Sequence, residues 1–379
     1  MRAVTAIWQK AGDWFLHAQN LEQASAVICF GPRALLETGT AQRELAALAA
    51  RGAVIGCSTG GQFAGQGLLE DAIVAMIFIF ERTRVEAIAL NRDHFGSDSA
   101  VGSAIGQALT APDLAGVFLL SDGLGINGSA LVKGLQSGLG CEVPVTGGLA
   151  GDGADFGRTY VFGPKAAGSS VVAAVGFYGK ALRVGHGSYG GWRIFGPRRL
   201  VTRSEGNVLF ELDGKPALDL YERYLSPEEA AQLPASALLF PLMIADPAAP
   251  DHEVVRTVLG IDRAAGSMTF AGDIPQGWTA RLMHGASDNL NNGAGLAGKA
   301  AHDMLPGAPE AAILVSCIGR RLLLGQNVGE ELRSAIGALG EQTPAIGFYS
   351  YGEIAPQATS MRCDIHNQTM TITTFREEA

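Results

Sequence analysis

Cysteine is scarce and irregularly placed in this chain of 379 residues. Its 5 cysteines are an odd number, and no two of them have the CxxC spacing. A disulfide framework needs paired cysteines, and a structural zinc site needs regularly spaced ones. We therefore expect reduced thiols in a cytoplasmic protein that has no structural zinc.

Long apolar runs and clusters of positive charge are also missing. The longest apolar run, residues 72–80, is about half as long as a membrane span requires, and the N-terminus lacks the charged-then-apolar pattern of a signal peptide. Charged residues make up only 17% of the chain, and the formal net charge is −9. We therefore expect neither nucleic acid nor a membrane surface as a partner.

Glycine, in contrast, is abundant and marks an internal repeat. The 51 glycines cluster where short apolar strands end, which indicates tight turns and close backbone approaches. Segments 53–62, 144–153 and 343–354 each run from an apolar strand through a glycine into a turn of small polar residues. The second and third segments match in step, with Gly140, Pro144 and Gly147 against Gly340, Pro344 and Gly347. The pattern predicts a duplicated βαβ-type module and a third, weaker copy at the N-terminus.

Helix-patterned leucines follow each first strand of the repeat, so the predicted fold class is α/β. We expect two mixed-sheet domains, residues 1–203 and 204–379, with the modules in 92–156 and 288–354 related by an approximate two-fold axis. The boundary rests on a change near residue 202 from alternating strands and helices to a strand-and-turn pattern. Because no Gly/Ser or Pro linker separates the halves, they should share a large interface.

Two enzyme-like motifs occur without the neighbourhood that each one needs. Gly123–Gly128 matches GxGxxG between a predicted strand and helix, but no acidic residue stands at the tip of the next strand. Residues 56–60 match GxSxG around Ser58, but glycines follow where a helix is required. We expect that the chain is not an enzyme. The alternative is a nucleotide-binding or hydrolytic α/β enzyme that uses Gly123–Gly128 or Ser58.

Polar side chains occupy equivalent positions in the turns of the repeat. Gln62, Asp152 and Glu353 each follow a repeated strand, and repeated βα modules build sites at the carboxyl ends of strands. We therefore predict a ligand site in a cleft between the two domains. Its rim or floor would be formed by Cys57, Ser58, Thr59, Gly148, Asp152, Tyr349, Tyr351 and Glu353, with His366 or His186 beneath.

The 7 histidines include no pair with HExxH or HxH spacing, so a multi-histidine metal site is not predicted. His186 lies among glycines in GHGSYGGW, and His366 shares one face of a predicted strand with Met370 and Ile372. A buried histidine must find partners. Each of these two is therefore either a hydrogen-bonding residue of the core or a contact to a ligand.

Several segments together resemble the FIST family. They are IGCSTGGQF, DGLGINGSALVKGL with PVTGGLAGDGADF, GSYGGW, VTRSEGNVLFELDGKPALDLYERYL, PAIGFYSYGEIAP and HNQTMTI. The resemblance extends over about residues 25 to 375, and its most specific pieces are YSYGEI and HNQTMT. It implies an N-terminal and a C-terminal FIST domain. It also implies a sensory, ligand-binding role in signal transduction rather than catalysis.

The family resemblance leaves the ligand open between amino acids, haem and other small molecules. One branch of the family binds haem, senses nitric oxide and acts on histidine kinases or cyclic-di-GMP enzymes. Haem needs an axial ligand in an apolar pocket; His186 and His366 are the candidates, with Cys57 or a tyrosine as alternatives. The sequence shows no kinase, methyl-acceptor or cyclase pattern, so we expect the signal to pass to a separate protein.

Overall fold

Three modules with the same order of strands make up most of the fold. The structure, a computed structural model, describes residues 1–9, 14–16, 21–49, 52–357 and 361–378. Each module has a first strand that pairs with its return strand, two parallel strands joined by a helical segment, a short hairpin and the return strand itself. The parallel pair needs its helix because a tight turn can join only antiparallel strands. None of the described helices has the length and hydrophobicity that crossing a membrane requires.

Module one extends from residue 2 to residue 79. Its central strands are buried on both faces, so they read as continuous apolar runs. Its strands are β1 (Arg2–Gln9), β2 (Trp14–Leu16), β3 (Ala26–Gly31), β4 (Ala53–Ser58), β5 (Gln62–Ala64), β6 (Gly67–Leu69) and β7 (Ala72–Ile79), and its helices are α1 (Arg33–Leu36) and α2 (Thr40–Leu48).

Module two extends from residue 84 to residue 178. Its second helix begins at Asn127, whose side chain accepts a hydrogen bond from the N–H of Ala130, and ends at Gly140 in the left-handed conformation. Its strands are β8 (Arg84–Asn91), β9 (Leu114–Ser121), β10 (Val145–Leu149), β11 (Val161–Gly163), β12 (Ala166–Gly168) and β13 (Val171–Tyr178), and its helices are α3 (Asp98–Leu109) and α4 (Gly128–Leu139).

Module three is interrupted after its first strand, β14 (Leu182–Tyr189), by an insertion that spans residues 193–284. The insertion forms a sheet of its own that packs on short helices. Its strands are β15 (Arg193–Ile194), β16 (Arg199–Glu205), β17 (Val208–Leu212), β18 (Lys215–Pro216), β19 (Leu242–Asp246), β20 (Ala249–Arg256), β21 (Val258–Asp262), β22 (Ser267–Phe270) and β23 (Thr279–His284), and its helices are α5 (Ala217–Glu222) and α6 (Pro227–Ala231).

Module three then resumes and completes the common order. Its helices are α7 (Ser287–Asp303), α8 (Ile318–Leu324) and α9 (Val328–Leu339), and its remaining strands are β24 (Ala311–Cys317), β25 (Ala345–Ser350), β26 (Gly352–Pro356), β27 (Cys363–His366) and β28 (Met370–Glu377). The described residues also include short 3-10 turns at Leu21–Gln23, Arg92–His94, Ala235–Leu239 and Gly325–Asn327.

Each module gives its hairpin to the sheet of another module. Sheet one has the order β12-β11-β4-β3-β7-β1-β2, sheet two β27-β26-β10-β9-β13-β8, and sheet three β6-β5-β25-β24-β28-β14. Hairpin β5–β6 thus joins the sheet of module three, β26–β27 joins that of module two, and β11–β12 joins that of module one. The three transfers form a closed cycle from module to module. Module one, which the sequence predicted only as a weaker copy, is therefore equivalent to the two modules that were expected to be related by a two-fold axis.

Alternating residues of the strands serve two different cores. In β9, Phe118 and Leu120 face a central core shared by all three sheets, whereas Val117 and Leu119 face the helices α3 and α4. The central core also receives side chains such as Phe30 from sheet one and Phe348 from sheet three. The sheets therefore face one another, and the helices cover the outside.

The structure confirms the mixed α/β fold and the predicted equivalence of the modules. A Cβ atom on Gly56, Gly147 or Gly347 would collide with the carbonyl oxygen of the neighbouring parallel strand, at Cys29, Leu119 and Leu314 respectively. The same close approach thus requires glycine three times. The expected boundary between residues 203 and 204 runs through strand β16, so it does not coincide with a gap between packed units.

Candidate functional site

The turns after β4, β10 and β25 meet at one place, which we call the crossover junction (residues 58–61, 149–152 and 349–352). The Gly60 N–H donates to the Tyr349 carbonyl (2.7 Å) and the Gly151 N–H to the Ser58 carbonyl (2.9 Å). The Tyr351 N–H donates to the Leu149 carbonyl (3.2 Å). The structure thus brings together the turns that carry most of the predicted site residues.

Most of those side chains are enclosed rather than presented to a ligand. Thr59 and Asp152 border a surface cavity of about 250 Å³ beside Arg33, Glu70 and Arg321. The other residues predicted to form the rim or floor of the site are buried, namely Cys57, Ser58, Gly148, Tyr349, Tyr351 and Glu353. Burial raises the pKa of the Cys57 thiol well above its usual value, so this thiol stays protonated.

Glu353 is a fully buried carboxyl group held by local donors. Its oxygens accept from Ser350 Oγ (2.6 Å), the Thr369 N–H (3.1 Å) and Thr369 Oγ1 (2.9 Å). Burial nevertheless dominates and raises the pKa of Glu353 to about 8. In module one the equivalent Gln62 accepts from Thr59 in the same way, at 2.7 Å. The shared contact indicates that this position fastens the crossover to its own turn.

Asp152 is hydrogen-bonded both to its own turn and to the turn that carries Tyr351. Its Oδ2 accepts from the N–H groups of Gly157 (2.8 Å) and Arg158 (2.7 Å), and its Oδ1 accepts from the hydroxyl of Tyr351. The turns that carry Gln62, Asp152 and Glu353 therefore converge. The side chains of these three residues are, however, already hydrogen-bonded to other groups of the protein.

The GxGxxG loop is closed from within by an aspartate. Asp122, directly before the loop, accepts from the N–H groups of Leu124 (3.1 Å), Gly125 (3.3 Å) and Ser170 (3.0 Å). A phosphate would need such N–H groups for itself. The Asp122 carboxylate takes up two of the N–H groups of the loop, so these two groups are not free for a phosphate.

Ser58 is enclosed as well. Its Oγ accepts from the N–H of Tyr160 at 2.9 Å, and the residue is fully buried. A nucleophilic serine must instead be exposed beside a general base. The geometry at Ser58 is that of a structural hydroxyl.

The two candidate histidines lie near each other where sheet two meets sheet three. His366 Nε2 lies 3.1 Å from the carbonyl oxygen of Ala355, so that nitrogen is engaged. His186 Nε2 is buried and has no hydrogen-bond partner among the described residues. Burial, with a smaller contribution from His366, lowers the pKa of His186, so its imidazole is neutral near pH 7.

A cleft of about 780 Å³ lies elsewhere on the surface, and none of the predicted residues lines it; we call it the α4 cleft. Helix α4 forms one wall, strands β19 and β20 with residues 273–278 form the other, and residues 361–364 close one end. Its charged and cysteine lining residues are Lys133, Cys141, Glu142, Asp246, Arg256, Asp273, Arg362, Cys363 and Asp364.

Arg256 is the buried charge of the α4 cleft, with 4% of its surface exposed. Its Nε donates to the Asp273 carbonyl (3.0 Å), and its Nη1 donates to the carbonyls of Val255 (3.2 Å) and Ile365 (3.0 Å). Its Nη2 stands 4.0 Å from Oδ1 of Asp364, beyond hydrogen-bond distance. Burial lowers the pKa of Arg256, and the negative charges of Asp364 and Asp273 offset only part of that effect.

Sequence reasoning missed this cleft because its walls come from distant parts of the chain. One signal was present in strand β20 and just after it. Val254, Arg256 and Val258 alternate on the inward face, so a cation stands where an apolar side chain is expected. An arginine at an inward strand position needs a partner, and that need could have drawn attention to residue 256.

Comparison with known proteins matches most of the chain to the models of one family. The family model of the FIST N domain matches residues 25–215, and that of the FIST C domain matches residues 217–356. An uncharacterized protein of Mycobacterium tuberculosis is 28% identical over 316 residues, which cover 81% of this chain and 79% of that protein. Another uncharacterized protein, from Mycobacterium bovis, is 26% identical over 332 residues, which cover 86% of this chain and 83% of that protein.

Among solved structures, a chorismatase aligns over 98% of both chains. The sequence identity is 9% and the TM-score is 0.38, and a score this low carries no argument about fold or activity.

Proposed function

Because this chain belongs to the FIST family, we propose that it is a cytoplasmic sensor whose small ligand binds in the α4 cleft. FIST domains are sensory domains that bind small ligands in signalling. This site is supported by the observation that its two walls come from different FIST regions of the chain. Helix α4 belongs to the FIST N region, and Arg256 and Asp273 belong to the FIST C region. The volume of about 780 Å³ lies in the range of small-molecule sites.

The attachment of the insertion supplies a route from ligand to signal. Asn127 Nδ2 donates to Asp273 Oδ1 at 2.8 Å, which fastens the insertion to the start of α4. Arg256 fastens it to the transferred hairpin through Ile365. A ligand held between the two walls favours the arrangement in which they are closest, and a partner that reads the angle of the insertion receives the signal.

Labelling of Cys141 tests the location. Among the five cysteines it alone is exposed, and it lines the α4 cleft. The protein should be incubated with a small-molecule extract and desalted, and any bound compound identified by mass spectrometry. We expect that compound to slow reaction of Cys141 with a maleimide. A compound that binds but leaves the labelling rate unchanged would place the ligand site elsewhere.

Haem is the second candidate ligand, and the observation that favours it is the unpartnered Nε2 of His186. A neutral imidazole nitrogen with no other partner suits an axial ligand, and the bound group would supply binding of nitric oxide. His366 fits less well because its Nε2 is engaged by Ala355. Thr371 and Thr373 pair with Ser188 and His186 in the neighbouring strand, so the surroundings are more polar than a haem pocket usually is.

The absorption spectrum after expression with excess haem tests this second candidate. A Soret band that His186→Ala abolishes and His366→Ala retains would support His186 as the axial ligand. A spectrum without a Soret band, or one that both variants leave unchanged, would remove this role from His186.

A separate histidine kinase or cyclic-di-GMP enzyme is the partner class that we propose for the signal. The activity of this kinase or cyclic-di-GMP enzyme should change when the sensor and the cleft ligand are added to it together. Equal kinase or cyclase activity with and without the ligand, at saturating sensor, would contradict this choice of partner.

We also propose that the chain is not an enzyme. The support is the enclosure of Ser58 and the occupation of the Gly123–Gly128 loop by Asp122. Ester hydrolysis that disappears in Ser58→Ala, or tight binding of NAD or ATP, would instead favour a hydrolytic or nucleotide-binding enzyme.

A further inference from the structure

The charge of Arg256 is incompletely neutralised in the structure. Three main-chain carbonyl oxygens receive its Nε and Nη1 hydrogens, but carbonyls supply only partial charge. The nearest carboxylate, Asp364, is 4.0 Å from Nη2 and also accepts from Gln357 Nε2 (3.3 Å) and the Ile365 N–H (2.9 Å). A buried guanidinium that has no described carboxylate in hydrogen-bond contact is costly, unless an anion binds it.

The second acidic neighbour is also turned away from the guanidinium. Asp273 offers Arg256 its main-chain oxygen, while its carboxylate accepts from Asn127 Nδ2 at 2.8 Å. The fork of Arg256 is therefore oriented by the backbone and not by an acidic side chain. Nη2, which has no hydrogen-bond partner among the described residues, is left for a further acceptor.

The other charges of the cleft limit what that acceptor can be. Four carboxylates line it, from Glu142, Asp246, Asp273 and Asp364, against the three cations Lys133, Arg256 and Arg362. A nucleotide or another polyanion would be repelled by this balance. One oxyanion on an otherwise neutral or hydrogen-bond-donating molecule matches a single buried arginine among acidic walls.

We propose that Arg256 is the anchor for a small monocarboxylate in the α4 cleft, with the carboxylate accepting from Nη2. This inference rests on the proposed function for the location of the site and adds the chemical class of the ligand. The arginine is held in place before binding, so little side-chain entropy is lost when the carboxylate arrives.

The test uses the full chain and a panel of short monocarboxylates, each with its own neutral amide and with inorganic phosphate as a third probe. Slowing of Cys141 labelling reports occupancy of the cleft. We expect at least one carboxylate at about 10 mM to slow labelling by a factor of about ten, with its amide inactive at the same concentration. A panel in which no carboxylate slows labelling, or in which amide and acid act equally, overturns the proposal. Protection by phosphate alone also overturns it and would identify a phosphate site.

Three variants assign the effect to residue 256. Arg256→Gln should raise the Kd of the active carboxylate about 30-fold, because a charge-assisted hydrogen bond is lost, and Arg256→Lys should fall between Gln and wild type. The matched control is Arg203→Gln, an exposed arginine of the same insertion that pairs with Glu211 at 2.9 Å. It should stay within about twofold of wild type. Wild-type affinity in a folded Arg256→Gln protein would remove the anchor role.

Failure of the two proposals is distinguishable. A neutral compound from an extract that protects Cys141 would support the sensor site and overturn the monocarboxylate. A carboxylate that binds tightly, depends on Arg256 and protects Cys141, yet leaves every tested signalling partner unaffected, would support the anchor and contradict the sensory output.

Discussion

Arg256 and Arg320 are two buried arginines whose surroundings differ. Arg320 is fully buried; its Nε donates to Glu331 Oε1 at 2.7 Å, and its other nitrogens reach the carbonyls of Leu290 (2.8 Å), Gly190 and Gln368. Arg256 has comparable carbonyl partners, but no carboxylate of the described residues lies within hydrogen-bond distance of it. A cation that the protein satisfies completely is part of the core, whereas one that it satisfies incompletely beside a cleft indicates a ligand.

The carboxylate of Glu331, which pairs with Arg320, also has several hydrogen-bond donors. It accepts from Tyr349 Oη (2.9 Å) and from Ser316 Oγ (3.3 Å) besides Arg320. Tyr349, which the sequence suggested as a ligand contact, is therefore a hydrogen-bond donor of a buried network. The network joins β24, β25 and helices α8 and α9 of module three.

The largest expected effect comes from breaking the Arg320 pair. Glu331→Ala leaves the Arg320 cation buried without its counter-ion, and we expect the free energy of unfolding to fall by about 3–5 kcal/mol. Urea denaturation measures it. Arg333→Gln, at an exposed arginine 3.9 Å from Glu330, is the control and should change stability by less than about 0.5 kcal/mol. A similar small effect in Glu331→Ala would show that the pair does not distinguish Arg320 from Arg256.

The second prediction concerns Glu353. The positive charge of Arg320 acts to lower the pKa of the Glu353 carboxyl group, but burial dominates and raises that pKa to about 8. A carboxyl with a raised folded-state pKa binds more protons folded than unfolded, so stability falls as pH rises between the ordinary value of 4.5 and about 8. Its slope reaches at most about 1.4 kcal/mol per pH unit.

Glu353→Gln should flatten that slope, because the amide resembles the protonated acid and Gln62 already occupies the equivalent position in module one. Urea denaturation at several pH values in this window compares the variant with wild type. An unchanged slope in the variant would show that Glu353 ionises normally in the folded chain.

The third prediction contrasts removal of the two arginines. Arg256→Met leaves carbonyl groups that water in the cleft can reach, so we expect a loss of about 1–2 kcal/mol at most. Arg320→Met strands the Glu331 carboxylate and should cost about 3–5 kcal/mol. Equal losses in urea denaturation would make Arg256 a second structural arginine and weaken its role as an anchor.

The smallest expected effect concerns Lys133, an exposed charge at the α4 cleft. Lys133→Met should weaken binding of the active carboxylate about twofold at low salt, and added salt should remove the difference because exposed charges are screened. Titration calorimetry at two ionic strengths measures it. A loss as large as that of Arg256→Gln would move the anchor from the buried cation to the rim.

The repeated modules could be predicted from the sequence, because a close strand approach demands glycine and leaves a visible mark at Gly56, Gly147 and Gly347. The exchange of hairpins could not be predicted. The local sequence of a short hairpin such as β5–β6 does not indicate which sheet the hairpin will join. The crossover junction was predicted for the same reason as the modules. The α4 cleft was not, because Lys133, Arg256 and Asp364 become neighbours only after the exchange has positioned the chain.

The cycle of transferred hairpins also sets an order of events during synthesis on the ribosome. Sheet three can use β5–β6 as soon as its own strands emerge, since that hairpin is made first. Sheet two is in the opposite position, because strand β10 is complete at residue 149 but its neighbour β26 begins only at residue 352. Until then β10 is an open edge, with N–H and C=O groups available to any passing strand. A ribosome that stalls after β13 has emerged and before residue 352 therefore holds a nascent chain in which the β10 edge of sheet two is uncovered.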